Sequence, residues 1–146
     1  MKKMILCGVL FLSAIAFNEA KSQLRVNVNI NSQPVWGPTG YDYVEYYYLP
    51  DVESYYYVPT HQFIYMSGNR WIYSNSLPSR YRNYDLNTGY KVVMNEPKPY
   101  RHFQSHRTKY AEFRNNHTQS IIRDSHDRRY EVTRDYRKNH ERHGRH

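Results

Sequence analysis

The stretch from Tyr41 to Pro78, YDYVEYYYLPDVESYYYVPTHQFIYMSGNRWIYSNSLP, limits what this chain can fold into more than any other part of it. Short aromatic and β-branched runs alternate there with turn residues: Pro50-Asp51, then Pro59-Thr60-His61, then Ser67-Gly68-Asn69. Tyr, Phe, Trp, Val and Ile suit a pleated, half-buried surface, and runs of about 4–8 of them between turn signals read as strands. The pattern predicts a four-stranded antiparallel meander over Tyr43–Leu49, Val52–Val58, Gln62–Met66 and Arg70–Ser74. Successive side chains of a strand point to opposite faces, so Tyr46 and Tyr48 oppose Tyr47, and Tyr55 and Tyr57 oppose Tyr56. Both faces of the sheet must therefore carry rings. One face can pack on neighbouring elements; the other is either covered by the tail or is an exposed aromatic platform.

Residues 1–22 have the form of a secretory signal peptide. Lys2 and Lys3 precede the apolar run Met4–Phe17, and Ala20-Lys21-Ser22 places small residues at a cleavage site before Gln23. The apolar run is short for a membrane span of ~20 residues, so no transmembrane span is expected once the signal is removed. The sole cysteine, Cys7, lies within the signal without the flanks of a lipidation site. The mature chain is then cysteine-free, which excludes disulfides, thiolate nucleophiles and Cys-ligated zinc.

Charge divides the rest. Residues 23–99 hold six Lys/Arg and six Asp/Glu, whereas residues 100–146 hold twelve against six, a net +6, together with seven of the eight histidines. Four parts are expected: the signal (1–22), a tyrosine-rich antiparallel β domain (23–99), an amphipathic helix (100–117) and a basic His/Arg-rich tail (118–146). Within the β domain, Leu24–Asn31 alternates apolar and polar residues as a strand does. Gln33–Gly40 is a Pro/Gly loop whose Trp36 is expected to fold back on the sheet. Asp85–Gly89 reads as a turn and Tyr90–Met94 as a further strand. Pro99 can open a helix, and Tyr100, Phe103, His106, Tyr110, Phe113 and His117 recur on one helical face. Beyond Thr118 only Ile121, Ile122 and Val132 are aliphatic, so the tail is expected to be disordered or a marginal solvated helix. The fold class is mainly β with α+β character: a small antiparallel meander, a C-terminal amphipathic helix and a basic, partly disordered tail.

Three sets of residues invite a functional reading. If a platform forms, Trp36, Tyr47, Tyr55, Tyr57 and Trp71 would offer flat apolar faces to sugar rings, although rings at strand period are more often core. Arg101, Arg107, Lys109 and Arg114 could meet anionic lipid headgroups, lipopolysaccharide phosphates or acidic glycans. Nucleic acid is an unfavoured partner for an exported chain. His102 and His106, four apart, and His140, His143 and His146, three apart, make an alternative metal reading in which imidazoles bind Zn, Cu or Ni. No phosphate-binding glycine loop, HExxH or G-x-S-x-G occurs, and His61 sits in a turn with no paired acid; no catalytic residue and no cofactor is expected.

Tyr46-Tyr47-Tyr48-Leu49-Pro50, Tyr55-Tyr56-Tyr57-Val58-Pro59, Gln62-Phe63-Ile64-Tyr65 and Trp71-Ile72-Tyr73-Ser74-Asn75-Ser76-Leu77-Pro78 together resemble a motif set of small exported tyrosine-rich bacterial proteins. There Y-Y-Y-x-P, Y-Y, Y/F-x-Y, W and S-L-P recur in that order, and the resemblance covers Tyr41–Pro99. That family is uncharacterised, so the resemblance implies a periplasmic or extracellular envelope location and no activity. The resulting expectation is a non-enzymatic exported envelope protein, with an aromatic β scaffold or binding face and a basic tail contacting anionic envelope material. Metal handling through the tail histidines is the alternative.

Overall fold

The computed structural model describes residues 29–135. The expected signal peptide, Leu24–Val28 of the expected N-terminal strand, and His140, His143 and His146 lie outside the described residues.

Five strands form one sheet: β1 (Tyr46–Leu49), β2 (Ser54–Tyr57), β3 (Gln62–Ser67), β4 (Arg70–Ser74) and β5 (Val92–Met94). Their order is β4-β3-β2-β1-β5 and every pairing is antiparallel. The meander is thus the one expected, and the later strand returns to the open side of β1. Gly68 sits at φ +59° as the first central residue of the β3–β4 turn, the position a type II′ hairpin gives to glycine. The first strand begins three residues later than expected. At its start the Asn29 side chain takes a neighbouring strand's place, accepting from Val44 N at 2.8 Å and donating to Val44 O at 2.6 Å. Ile30–Ser32 is a 3-10 turn, so the expected strand does not continue through Asn31.

Cross-strand register sorts the tyrosines as their alternation requires. Tyr47, Tyr56 and Phe63 share one face with Leu49, beneath Trp36, Tyr81 and Tyr84. Tyr46, Tyr48, Tyr55 and Ile64 share the other, beneath Tyr100, Phe103 and Tyr110. Trp36 folds back as expected, its ring 4.8 Å from that of Tyr56 in an edge-on contact. Tyr47, Tyr48 and Tyr55 are fully buried. At ~150–250 Å² per ring and ~25 cal/mol per Å², each contributes several kcal/mol gross toward the ordering cost.

The expected helix is shorter and interrupted. A 3-10 turn (Pro99–His102) leads into α1 (Phe103–Lys109), and a second 3-10 turn covers Ala111–Phe113. The face Tyr100, Phe103, His106, Tyr110 and Phe113 packs on the sheet and on Tyr90, whose ring stacks on Phe113 at 4.4 Å. Arg114 is extended and Asn115 lies at φ +57°, so His117 leaves the helical face and sits 3.0 Å from Thr88 O through Nδ1.

Residues 118–135 correct the expectation of a solvated tail. Ile121, Ile122, Tyr130 and Thr133 are buried. Ile122 N donates to Gly37 O at 2.9 Å, Arg123 N to Val35 O at 2.7 Å and Thr39 N to Ser120 O at 3.1 Å. Gly40 N donates to the Tyr130 hydroxyl at 2.7 Å. The tail and the Pro/Gly loop satisfy each other's backbone groups, which neither could do alone. No helix among the described residues is long and apolar enough to cross a membrane.

Candidate functional site

A groove of about 810 Å³ opens where β3 meets the segment after β4. Phe63 and Tyr65 line it from the sheet, and Leu77, Tyr81, Tyr84 and Leu86 line it from the segment that crosses over. That segment descends from Pro78 through the 3-10 turn Ser79–Tyr81, which sets Tyr81 and Tyr84 one turn apart and both inward. Polar lining comes from Ser76, Ser79 and Arg82, and no Asp or Glu among the described residues lines it. Arg82 Nε donates to Ser79 O at 3.3 Å, and its guanidinium has no carboxylate partner among the described residues. The two nearby acids are otherwise engaged. Asp51 accepts from Tyr84 Oη at 2.7 Å and from Asn115 N at 2.7 Å, while Asp85 accepts from Asn87 N and Nδ2 at 2.9 and 2.7 Å. Burial, reinforced by the bond to Asp51, pushes the Tyr84 phenol far above its ordinary range, so it stays a neutral donor. Nothing in the sequence marks this site by motif, because Ser79–Asn83 carries neither strand alternation nor helical spacing. The available signal was the Tyr81/Tyr84 spacing flanked by Arg80 and Arg82.

The five residues of the expected platform do not form one. Tyr47 lies at 0% exposure on one face, against Trp36; Tyr55 lies at 0% on the opposite face, against Trp71. Tyr57 and Trp71 are half-buried on the Tyr55 face, with Tyr57 stacked on Tyr46 at 4.6 Å. Both faces are covered by the chain itself, so alternation that looked like a platform is core. The hydroxyl of the equally buried Tyr48 has no hydrogen-bond partner in the described structure.

The basic set is divided. Arg107 Nε and Arg114 Nη2 both reach Glu53 Oε1, at 2.9 and 2.5 Å, and Arg114 Nε donates to Pro50 O at 3.3 Å. These two arginines fasten the helical segment to the β1–β2 corner. Lys109 Nζ lies 5.0 Å from the Tyr110 ring centre, and Arg101 is exposed; neither forms an ion pair among the described residues.

His102 and His106 do not make a ligand pair. Tyr55 Oη lies 2.9 Å from His106 Nδ1, and His106 Nε2 lies 3.2 Å from Glu96 Oε1. A tautomer with hydrogen on Nε2 satisfies both contacts and leaves no lone pair for a metal. The chain Tyr55–His106–Glu96 instead pins α1 to the sheet, and burial holds the His106 imidazole below its ordinary range even beside Glu96. No group of three or more His, Cys, Asp or Glu among the described residues could hold a metal ion. His61 contacts the Tyr56 hydroxyl at 3.1 Å through Nδ1.

Comparison with protein-family models, with curated proteins and with solved structures gave no match.

Proposed function

We propose that this chain is a non-enzymatic, exported envelope protein: a tyrosine-rich scaffold that presents a basic C-terminal half to anionic envelope material. The observation that carries the reading is where charge and rings are placed. Residues 23–99 are formally neutral and residues 100–146 carry +6. Arg101 and Lys109 stand exposed and outside any ion pair among the described residues. Rings that could have served as an open platform are instead consumed in holding so short a sheet together. The export expectation comes from the Lys2–Ser22 pattern and from the motif resemblance over Tyr41–Pro99.

Because Ile121, Ile122 and Tyr130 belong to the core, deleting the C-terminal half would unfold the protein and prove nothing. The test is charge reversal at exposed positions. Full-length protein should co-sediment with lipopolysaccharide at low salt and release as ionic strength rises past ~0.15 M, where screening acts within ~8 Å. Arg101→Glu with Lys109→Glu should weaken that association at least about fivefold, by the loss of attraction at two sites. Salt-insensitive association, or equal binding by the double variant, would overturn the reading.

A further inference from the structure

We propose that the groove between β3 and the Leu77–Leu86 crossover is a binding site for an acidic sugar unit, such as a uronic acid within an anionic glycan. The proposal rests on the anionic-partner reading above and gives that partner a specific seat.

Three features select this ligand class. The size is right: about 810 Å³ falls in the range of ~300–1,000 Å³ typical of small-ligand sites and accommodates a few sugar rings. The walls are right: the half-buried Tyr65, Tyr81 and Tyr84 offer ring surface to the apolar C–H face of a pyranose, over a floor made by the buried Phe63. Hydroxyls at Ser79 and Tyr81 can meet those of a sugar. The charge is right: among the described residues Arg82 is the sole charged one lining the groove, and Arg80 lies beside it with its guanidinium 4.8 Å from the Tyr81 ring centre.

A guanidinium held by its Nε keeps its outer nitrogens for a carboxylate, a planar match that an ammonium cannot give. The neighbouring carboxylates do not compete for it, since Asp51 and Asp85 are occupied by Tyr84, Asn115 and Asn87. A neutral sugar would leave Arg82 unanswered, and a compact inorganic anion would leave the rings unanswered. Only a ligand with both a ring and an acid uses the whole groove.

The experiment is a titration of the full mature chain with trigalacturonate, followed by amide chemical shifts, against cellotriose (rings without charge) and tripolyphosphate (charge without rings). Trigalacturonate should shift the Tyr65, Tyr81 and Arg82 amides, and the other two probes should not. Arg82→Gln, at an exposed position where folding is not at risk, should weaken trigalacturonate at least about tenfold. Tyr81→Leu, which keeps apolar bulk but removes the ring, should weaken it several-fold. Equal affinity in Arg82→Gln, shifts confined to the surface around Arg101 and Lys109, or cellotriose binding as tightly as trigalacturonate would each overturn this site. If trigalacturonate binding is lost in the Arg101→Glu/Lys109→Glu variant and unchanged in Arg82→Gln, the groove proposal fails while the anionic-partner reading survives. If neither lipopolysaccharide nor trigalacturonate binds, both fail.

Discussion

Replacing Lys91 by methionine is expected to stabilise this protein. Lys91 is 1% exposed, and its ammonium has no hydrogen-bond partner in the described structure. Burial lowers its pKa from 10.5 to about 8, against the opposing attraction of Asp85 and Asp51. At ~1.4 kcal/mol per tenfold change in proton affinity, keeping it charged at pH 7 costs roughly 3 kcal/mol. Methionine keeps most of the stem and discards the charge, so a gain of about 2 kcal/mol is expected after imperfect repacking. The pH dependence has a definite sign. Below pH 8 the lysine is protonated in both states and the cost is constant. Between 8 and 10.5 the unfolded chain binds the proton and the folded one does not, so stability rises with pH. From about pH 9 the tyrosines reverse the trend, because several of them share the raised pKa and their unfolded value is 10.0. Burial first, aided by nearby groups, holds Tyr46 and Tyr48 near pKa 12, so the unfolded chain loses those protons first. Wild-type stability, read from urea midpoints, should therefore peak near about pH 9, whereas Lys91→Met should be flat from about pH 7 to about 8.5 and fall beyond it. A variant no more stable than wild type at pH 7, or a wild-type profile without the rise, would refute the reasoning.

Gly89→Ala should cost about 2–3 kcal/mol, because a Cβ there would lie 1.5 Å from the Tyr84 hydroxyl and 2.9 Å from Asp51 Oδ2; an unchanged melting point would contradict that packing. Ile122→Ala should cost about 2–5 kcal/mol in chemical denaturation if residues 118–135 belong to the core, and almost nothing if they were solvated. Tyr48→Phe removes a buried hydroxyl without a partner and should be neutral or stabilising by up to about 1 kcal/mol, the reverse of the usual penalty for losing a hydroxyl. His106 should titrate below 6.5 by imidazole NMR; its contribution to stability is then full above pH 6.5 and declines as pH falls below it. A midpoint above 6.5 would mean that the charge of Glu96 outweighs burial.

Tyrosine triplets between turn signals were enough to read the sheet. Strand alternation is local, and it separates Tyr47 from Tyr46 and Tyr48 whatever the rest of the chain does. Turn chemistry at Ser67-Gly68-Asn69 likewise set the β3–β4 hairpin, and helical spacing marked the side of Tyr100, Phe103, His106 and Tyr110 that packs. The groove and the tail were decided elsewhere. Ile121, Ile122 and Tyr130 become core because the backbone of Val35–Gly40, some 85–90 residues earlier, turns its hydrogen-bonding groups toward them. Arg107 and Arg114 lose their availability to Glu53 across 54 and 61 residues, as His106 does to Tyr55 across 51. Periodicity records which way a side chain points along its own element. It carries no information about which distant segment arrives to meet that side chain, and that meeting determines whether a ring is core or surface and whether a cation is paired.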